Sequence, residues 1–230
     1  MWPFSSPLSA PSSAAAPVSM CEFSGLPPGI TPETPLKTCF TIFFFASLFY
    51  LATLKFVEDT ALVNLKARCP KLYDFGWNLI PGAPSRWLDY VCFGCIGFLL
   101  YMVFWEEGGH PDVARWVLMW VTFGGVFSAT LHSCTIVGDV SWANDAAGKN
   151  SMFTGGFCDR LMSNHTFNMG ITVAAITLHY GLPEWLPPAF VFVFSVAMLA
   201  SRQHYTVDIV LAWWVLGAVR WHCTNVCNNQ

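Results

Sequence analysis

A histidine and an aspartate lie four residues apart in the stretch Ala200–Asp208, which leads into an apolar run of about twenty residues. If that run is helical, His204 and Asp208 lie on one face, and the carboxylate reaches the imidazole ring. Such a contact fixes the tautomer and makes the other ring nitrogen a better base or nucleophile. Arg202 lies two residues upstream of the histidine, and its planar guanidinium suits a phosphate group. Together these residue types indicate phosphoryl chemistry.

The composition indicates where this chemistry takes place. Of the 230 residues, 54% are hydrophobic, 16% are aromatic and only 11% are charged, against about a quarter charged in soluble domains. The formal net charge of −3 gives no indication of nucleic-acid binding. The sequence therefore predicts a membrane protein whose phosphate-bearing substrate is a lipid.

Six apolar stretches predict an all-α integral membrane protein, with six transmembrane helices and the catalytic site at one membrane face. The predicted spans are Thr38–Val57, Leu88–Trp105, Ala114–Val137, His165–Tyr180, Ala189–Ala200 and Tyr205–Cys223. The fourth and fifth are shorter than the ~20 residues that cross a bilayer, so we expect both helices to extend into their flanks.

The same pattern divides the chain into three parts. Residues 1–37 are rich in Ser, Pro and Ala, show no signal-peptide pattern and are predicted to be a disordered tail, in which Leu26–Gly29 is too stiff and polar to pack. Residues 38–223 are predicted to form the six-helix catalytic domain, and residues 224–230 a short C-terminal tail.

A second histidine precedes the fourth span. Ser163 and Asn164 are residue types that cap helices, and His165 follows them in the predicted first turn. A helix N-terminus favours a bound phosphate, and Arg160 and Arg202 can add charge-assisted hydrogen bonds to it. With six spans, the fourth and sixth begin on the same side of the membrane. The two histidines are therefore expected at one membrane face.

Two motifs resemble the sphingomyelin synthase family, within the wider lipid phosphatase-like superfamily. His204-Tyr205-Thr206-Val207-Asp208 resembles the family's H-Y-T-x-D motif, including the aliphatic and aromatic run that follows it. The family's C-G-D-x-x-x-S-G-H-T motif is matched at Asp159, Ser163, His165 and Thr166. It is not matched at Phe157, Cys158 and Asn164. Asn tolerates positive φ better than other non-glycine residues, which would preserve a turn in place of the family's glycine.

The resemblance implies a transferase that moves a phospholipid headgroup onto the primary hydroxyl of ceramide and releases diacylglycerol. It implies that His204 is the nucleophile, that Asp208 orients it, and that His165 serves as acid and then base. Arg202, Arg160, Asp159, Ser163 and Tyr205 are the candidate substrate-binding residues. No metal or other cofactor is expected, since Asp159 suits loop capping or pairing with Arg160. Homo-oligomerisation is left open.

Two other functions remain open. The first is a lipid phosphate phosphatase, or an enzyme that exchanges headgroups between glycerolipids. Such enzymes usually carry a K-x6-R-P element before the S-G-H motif, and residues 66–70 lack that spacing. The second is a catalytically silent lipid-binding or scaffold protein, which the full set of His165, His204 and Asp208 disfavours, because such residues at membrane helix ends are costly without a use.

Orientation and headgroup are less determined by the sequence. Loops on the site's side carry more Lys and Arg, which would place the site in the cytoplasm. The resemblance implies a lumenal or exoplasmic site, in the Golgi, the endoplasmic reticulum or the plasma membrane, and we follow it. Choline would need aromatic faces, for which Tyr205, Trp213 and Trp214 are candidates. Phosphocholine is therefore the first choice over phosphoethanolamine and phosphoinositol.

Several further patterns have simpler explanations. Cys92-x-x-Cys95 lies inside an apolar run and is typical of core cysteines rather than a redox motif. His222-Cys223-x-x-x-Cys227 has fewer ligands than zinc needs, and palmitoylation is an alternative role for its cysteines. His132 suits a helix–helix hydrogen bond or the wall of a substrate cavity. The segment Pro70–Asp74 either resembles a P-x-L-x-D element of the family or forms a turn before an interfacial segment.

Overall fold

A computed structural model describes residues 25–65, 74–82, 87–104, 110–134, 162–201 and 204–228. In these ranges the chain contains helices and no strands, which confirms the all-α prediction for this part. The helices are α1 Leu36–Leu65, α2 Phe75–Leu79, α3 Trp87–Phe104, α4 Pro111–Cys134, α5 Asn164–His179, α6 Leu186–Ala200 and α7 Thr206–Asn228. Apart from the short α2, each overlaps one predicted span, and α1 continues eight residues beyond the predicted end at Val57.

Only two of the described helices are long and apolar enough to cross a membrane, namely the Leu36–Phe56 part of α1 and the whole of α4. The six helices are therefore found, but six membrane spans are not shown. The expected extension into the flanks is found for α6, which begins at Leu186 rather than Ala189, but not for α5. Both helices stay shorter than a bilayer span, with 16 residues in α5 and 15 in α6. Local chemistry fixes these bounds: Gly181 takes φ +60° just after α5, and prolines occupy the first positions of α6.

The centre of the bundle is α5, which packs against α3, α4, α6 and α7, while α1 lies along α4. Two glycines allow the closest approaches. A Cβ atom at Gly124 on α4 would collide with the ring of the fully buried Phe167 on α5, and one at Gly170 would collide with Leu216 on α7. The small residues thus set the position of α5, which carries His165 at its start.

The segment before α1 packs against the end of the bundle where α7 finishes. The indole N–H of Trp120 donates to the Gly25 carbonyl at 2.9 Å, and the His222 Nε2 atom lies 3.0 Å from the Leu26 carbonyl. Leu26 is only 6% exposed and belongs to the main core cluster. The expectation that Leu26–Gly29 does not pack is therefore wrong for Leu26. Its side chain packs in that cluster, and the side chains of Trp120 and His222 contact the backbone carbonyls of Gly25 and Leu26.

Candidate active site

The start of α5 is fixed by a serine cap. Ser163 has an extended backbone, and its hydroxyl accepts the Thr166 N–H at 3.1 Å. The Ser163 N–H donates to the Asp208 carbonyl at 3.1 Å, which ties this cap to the first turn of α7. His165 follows the cap and lies in the first turn of α5, where the sequence predicts it. The two helix starts are therefore joined through their backbones.

The His204–Asp208 pair forms, although a shared helix face does not produce it. His204 precedes α7, which begins at Thr206. Asp208 is the third residue of that helix, and its Oδ2 atom turns back to accept the Tyr205 N–H at 2.9 Å. This is one half of a capping box. The same oxygen lies 3.4 Å from Nδ1 of His204, so the helix cap and the contact to the imidazole use one carboxylate.

The two histidines meet at the same end of the bundle. Nε2 of His204 lies 3.5 Å from Nδ1 of His165, with the ring centroids 5.7 Å apart and the planes at 61°. His204 is 4% exposed and Asp208 is fully buried, whereas His165 is half-buried. The predicted proximity of the two histidines, which rested on topology alone, is thus found. The carboxylate of Asp208, the buried imidazole of His204 and the more accessible imidazole of His165 therefore form a series of contacts in that order.

Asn164 anchors the start of α5 to two other helices. Its amide nitrogen donates to the Tyr50 hydroxyl on α1 at 2.8 Å and to Ser128 Oγ on α4 at 3.1 Å. Ser128 Oγ in turn lies 3.4 Å from Nδ1 of the fully buried His132. Asn164 is the first helical residue of α5, so it needs no positive φ, and its expected role in preserving a turn is wrong. The residue contributes through its side chain.

A third contact holds the start of α7. The Asp74 carboxylate accepts both the backbone N–H and the hydroxyl of Thr206, each at 2.6 Å. The Gly76 N–H donates to the same hydroxyl at 3.1 Å. Asp74, the last residue of the Pro70–Asp74 pattern, therefore holds the first turn of α7. The P-x-L-x-D pattern is the only sequence signal that could have identified this aspartate, and Tyr50 and Ser128 had none.

A cavity of about 370 Å³ opens beside His165, between α1, α3, α4 and α5. Its wall is mostly apolar, and includes Phe43, Leu51, Leu54, Phe93, Ile96 and Met169. The part of α1 that lines it, from Phe43 to Leu54, is about 16 Å long at helical rise. Three lining residues (Leu51, Phe93 and Ile96) also rank among the exposed large hydrophobic residues. The cavity therefore reaches the outer surface between α1 and α3.

Four of the six polar lining residues gather at the start of α5: Asn164, His165 and Asn168 belong to its first five residues, and the Tyr50 hydroxyl accepts a hydrogen bond from Asn164. Ser47 and Thr122 lie elsewhere in the wall, and His204 and Asp208 do not line the cavity. The volume lies within the range of ligand pockets, which combine an apolar lining with a few polar groups. A ligand with a polar head near His165 and a hydrocarbon chain along α1 would match this distribution.

Several predicted site residues lie elsewhere or outside the described ranges. Asp159, Arg160 and Arg202 fall in segments the structure does not describe, as does Cys158. Tyr205 is 3% exposed, so its ring is not open to a headgroup. Trp214 is 76% exposed, and the Trp213 indole donates to Ser195 on α6 at 3.1 Å. These three aromatic residues do not form a choline site. Among the described residues, no three His, Cys, Asp or Glu side chains are grouped to hold a metal ion.

Comparison with known proteins agrees with this arrangement. Residues 158–225, which include both histidines and Asp208, match the family described as PAP2 superfamily C-terminal. No curated protein and no solved structure matches the chain. Because members of the PAP2 superfamily are phosphatases and phosphotransferases, the match supports a lipid enzyme of the phosphoryl-transfer type, within the lipid phosphatase-like superfamily.

Proposed function

We propose that the protein is a membrane-embedded lipid phosphotransferase that moves a phospholipid headgroup onto ceramide through a phosphohistidine. The observation that carries this proposal is the contact series Asp208–His204–His165 at the polar end of an apolar cavity. The helices also expose large apolar side chains outward, such as Phe45 on α1 and Val193 on α6, which suits a hydrocarbon surrounding.

In the first half of the reaction, the lone pair of His204 Nε2 attacks the phosphorus of the donor lipid. The bond between phosphorus and the diacylglycerol oxygen breaks, and His165 gives that oxygen a proton. The product is diacylglycerol and a phosphohistidine that carries the headgroup. The Asp208 carboxylate holds the His204 proton at Nδ1, so the lone pair of the ring is on Nε2, the attacking atom.

In the second half, His165 removes the proton from the primary hydroxyl of ceramide. The hydroxyl oxygen attacks the phosphorus, the bond to His204 breaks, and the headgroup leaves on ceramide. One acid–base group serves both steps and typically contributes ~10²–10⁴-fold to the rate. Arg160 and Arg202 are the proposed partners of the phosphate oxygens. The three aromatic candidates are buried, bonded elsewhere or exposed outward, so no headgroup is preferred.

The test is expression in a host without sphingolipid headgroup transferases, with a fluorescent ceramide as acceptor. Membranes receive phosphatidylcholine, phosphatidylethanolamine or phosphatidylinositol in turn. We expect one donor to give a new fluorescent phospholipid, which is lost in His204→Ala and His165→Ala. His110→Ala, at the opposite end of the bundle, is the matched histidine control and should retain activity.

The outcome also separates the alternatives. Release of phosphate from phosphatidic acid or ceramide phosphate, with no transfer to ceramide, would replace the transferase by a phosphatase. Transfer between glycerolipids only would indicate headgroup exchange. Folded protein that is silent in all these assays would indicate a lipid-binding or scaffold protein.

A further inference from the structure

The carboxylate of Asp74 has the shortest contacts around the candidate active site. It is 7% exposed, and it accepts two hydrogen bonds from Thr206 at 2.6 Å each. The backbone carbonyl of Asp74 accepts the amide of Asn78 on α2 at 2.9 Å, and α2 packs against both α6 and α7. A charged acceptor with two short bonds is stronger than a neutral pair. Asp74 is thus a fixed point for the start of α7.

The residues at the start of α7 cannot supply this contact themselves. Tyr205 occupies the position before the helix, where Ser, Thr, Asp or Asn normally provide the capping oxygen. Its own N–H is taken by Asp208. The next N–H, that of Thr206, is taken by Asp74, which comes from 132 residues earlier in the chain. A distant segment therefore completes the cap of the helix that carries the acid of the site.

The distances indicate which contacts set the geometry. His204 lies 3.4 Å from Asp208 and 3.5 Å from His165, and hydrogen bonds this long are weak. The two 2.6 Å bonds from Thr206 to Asp74 are much shorter, and they hold the backbone between His204 and Asp208. Gly76 reinforces this arrangement, because a Cβ atom there would collide with Thr206 Oγ1.

We propose that Asp74 is a positioning residue which, through Thr206, sets the distance of His204 from Asp208 and His165. Asp74 is not a catalytic residue, because its carboxylate is occupied by Thr206. The proposal rests on the proposed function only for its kinetic consequence. The structural consequence, the shielding of the His204 ring, is independent of which lipid reacts.

The kinetic test compares kcat and KM in Asp74→Ala, Thr206→Val and Thr206→Ser. A displacement of about 1 Å in a reacting group can cost about 10²-fold, so we expect the first two variants to lose at least tenfold in kcat with KM within about twofold. Thr206→Ser keeps the hydroxyl and should retain most activity. The double variant Asp74→Ala/Thr206→Val should be no slower than the slower single variant. Asp112→Ala, which removes an exposed acid in the first turn of α4, is the matched control and should be unchanged.

The second test does not depend on activity. Diethyl pyrocarbonate modifies accessible imidazoles, and the rate at His204 is read by mass spectrometry with His110 in the same molecule as reference. His204 is 4% exposed. We expect it to react severalfold faster in Asp74→Ala and Thr206→Val than in the protein without substitutions. In Thr206→Ser, the reaction of His204 should stay slow. If Asp74→Ala does not fold, the comparison of Thr206→Val with Thr206→Ser decides the result.

The outcomes are distinguishable from failure of the proposed function. If the protein without substitutions transfers no headgroup, the proposed transferase function is overturned. The rates at which diethyl pyrocarbonate modifies His204 would still decide the role of Asp74. Unchanged modification of His204 together with unchanged kcat in Thr206→Val would overturn the positioning role. A loss of activity in Thr206→Val that Thr206→Ser does not rescue would overturn it as well.

Discussion

Nε2 of His204 faces Nδ1 of His165 at 3.5 Å, a distance at which one ring can donate a weak hydrogen bond to the other. Two nitrogens at this distance share one proton favourably, because two lone pairs or two N–H groups would oppose each other. With Asp208 at Nδ1 of His204, the consistent assignment has His165 donating to Nε2 of His204. In the proposed mechanism, the phosphate of the donor lipid replaces this contact, so the two rings separate before Nε2 of His204 attacks.

The orienting role of Asp208 can be tested without loss of its hydrogen bond to the start of α7. In Asp208→Asn the amide oxygen still accepts the Tyr205 N–H, but the negative charge beside His204 is lost. We expect thermal unfolding in detergent close to that of the unmodified chain and kcat lower by roughly 10²- to 10⁴-fold. Asp208→Ala, which loses both contacts, should also unfold at a lower temperature. Full activity in Asp208→Asn would contradict the orienting role.

The anchoring role of Asn164 predicts a cost in stability. Asn164→Ala removes the hydrogen bonds to Tyr50 and to the buried Ser128, and we expect it to lower the free energy of unfolding by about 1–3 kcal/mol. Tyr50→Phe removes one of these bonds and should cost less. Denaturant unfolding of both single variants and the double variant checks this, because the effects should not add if the two side chains are coupled.

The cavity predicts an effect on substrate binding that depends on position along α1. Ala46 lines the cavity, whereas Ala52 on the same helix is exposed and does not. We expect Ala46→Leu to raise KM for a long-chain lipid substrate severalfold, because the larger side chain fills part of the cavity proposed to hold the hydrocarbon chain. Ala52→Leu makes the same chemical change and should leave KM unaltered. Equal effects of both variants would argue against a chain-binding cavity.

Two adjacent glycines on α4 allow a controlled test of how closely this helix packs against α5. A Cβ atom at Gly124 would collide with the buried Phe167 ring, whereas one at Gly125 would meet no atom within 4 Å apart from its chain neighbours and the nearby backbone of α4. We expect Gly124→Ala to destabilise the protein by about 1–3 kcal/mol through overpacking. Gly125→Ala should be neutral or stabilising by up to about 1 kcal/mol, since alanine favours helix. Thermal unfolding of the two variants side by side measures the difference.

The sequence predicts the parts of the site that are local or that follow from topology. Ser163 and His165 could be placed because caps are short-range patterns, and the meeting of His165 with His204 follows from helix count. The His204–Asp208 contact was predicted for the wrong reason, because four-residue spacing also allows a carboxylate to turn back and cap a helix. Helix existence followed from apolar runs, but these did not determine how many helices cross a membrane.

Residues that act across the bundle could not be predicted in this way. Tyr50 and Ser128 are ordinary helix residues until Asn164 is brought between them. Asp74 is 132 residues from Thr206, and no periodic pattern links them. Leu26 lies in a segment rich in Pro and Gly, where composition suggests disorder, but its burial depends on a groove made by helices far along the chain. Tertiary packing decides such positions.

Both ends of α7 are held by segments that leave the ribosome long before it does. Asp74 binds the first turn of α7, and the backbone carbonyls of Gly25 and Leu26 contact Cys223 and His222 near the other end of this helix. The contacts of these earlier segments with α7 can therefore form only after α7 has been synthesised. His204 and Asp208 arrive with that same helix. Until α7 has packed into the bundle, a growing chain therefore lacks the contacts that join His204 to Asp208 and to His165.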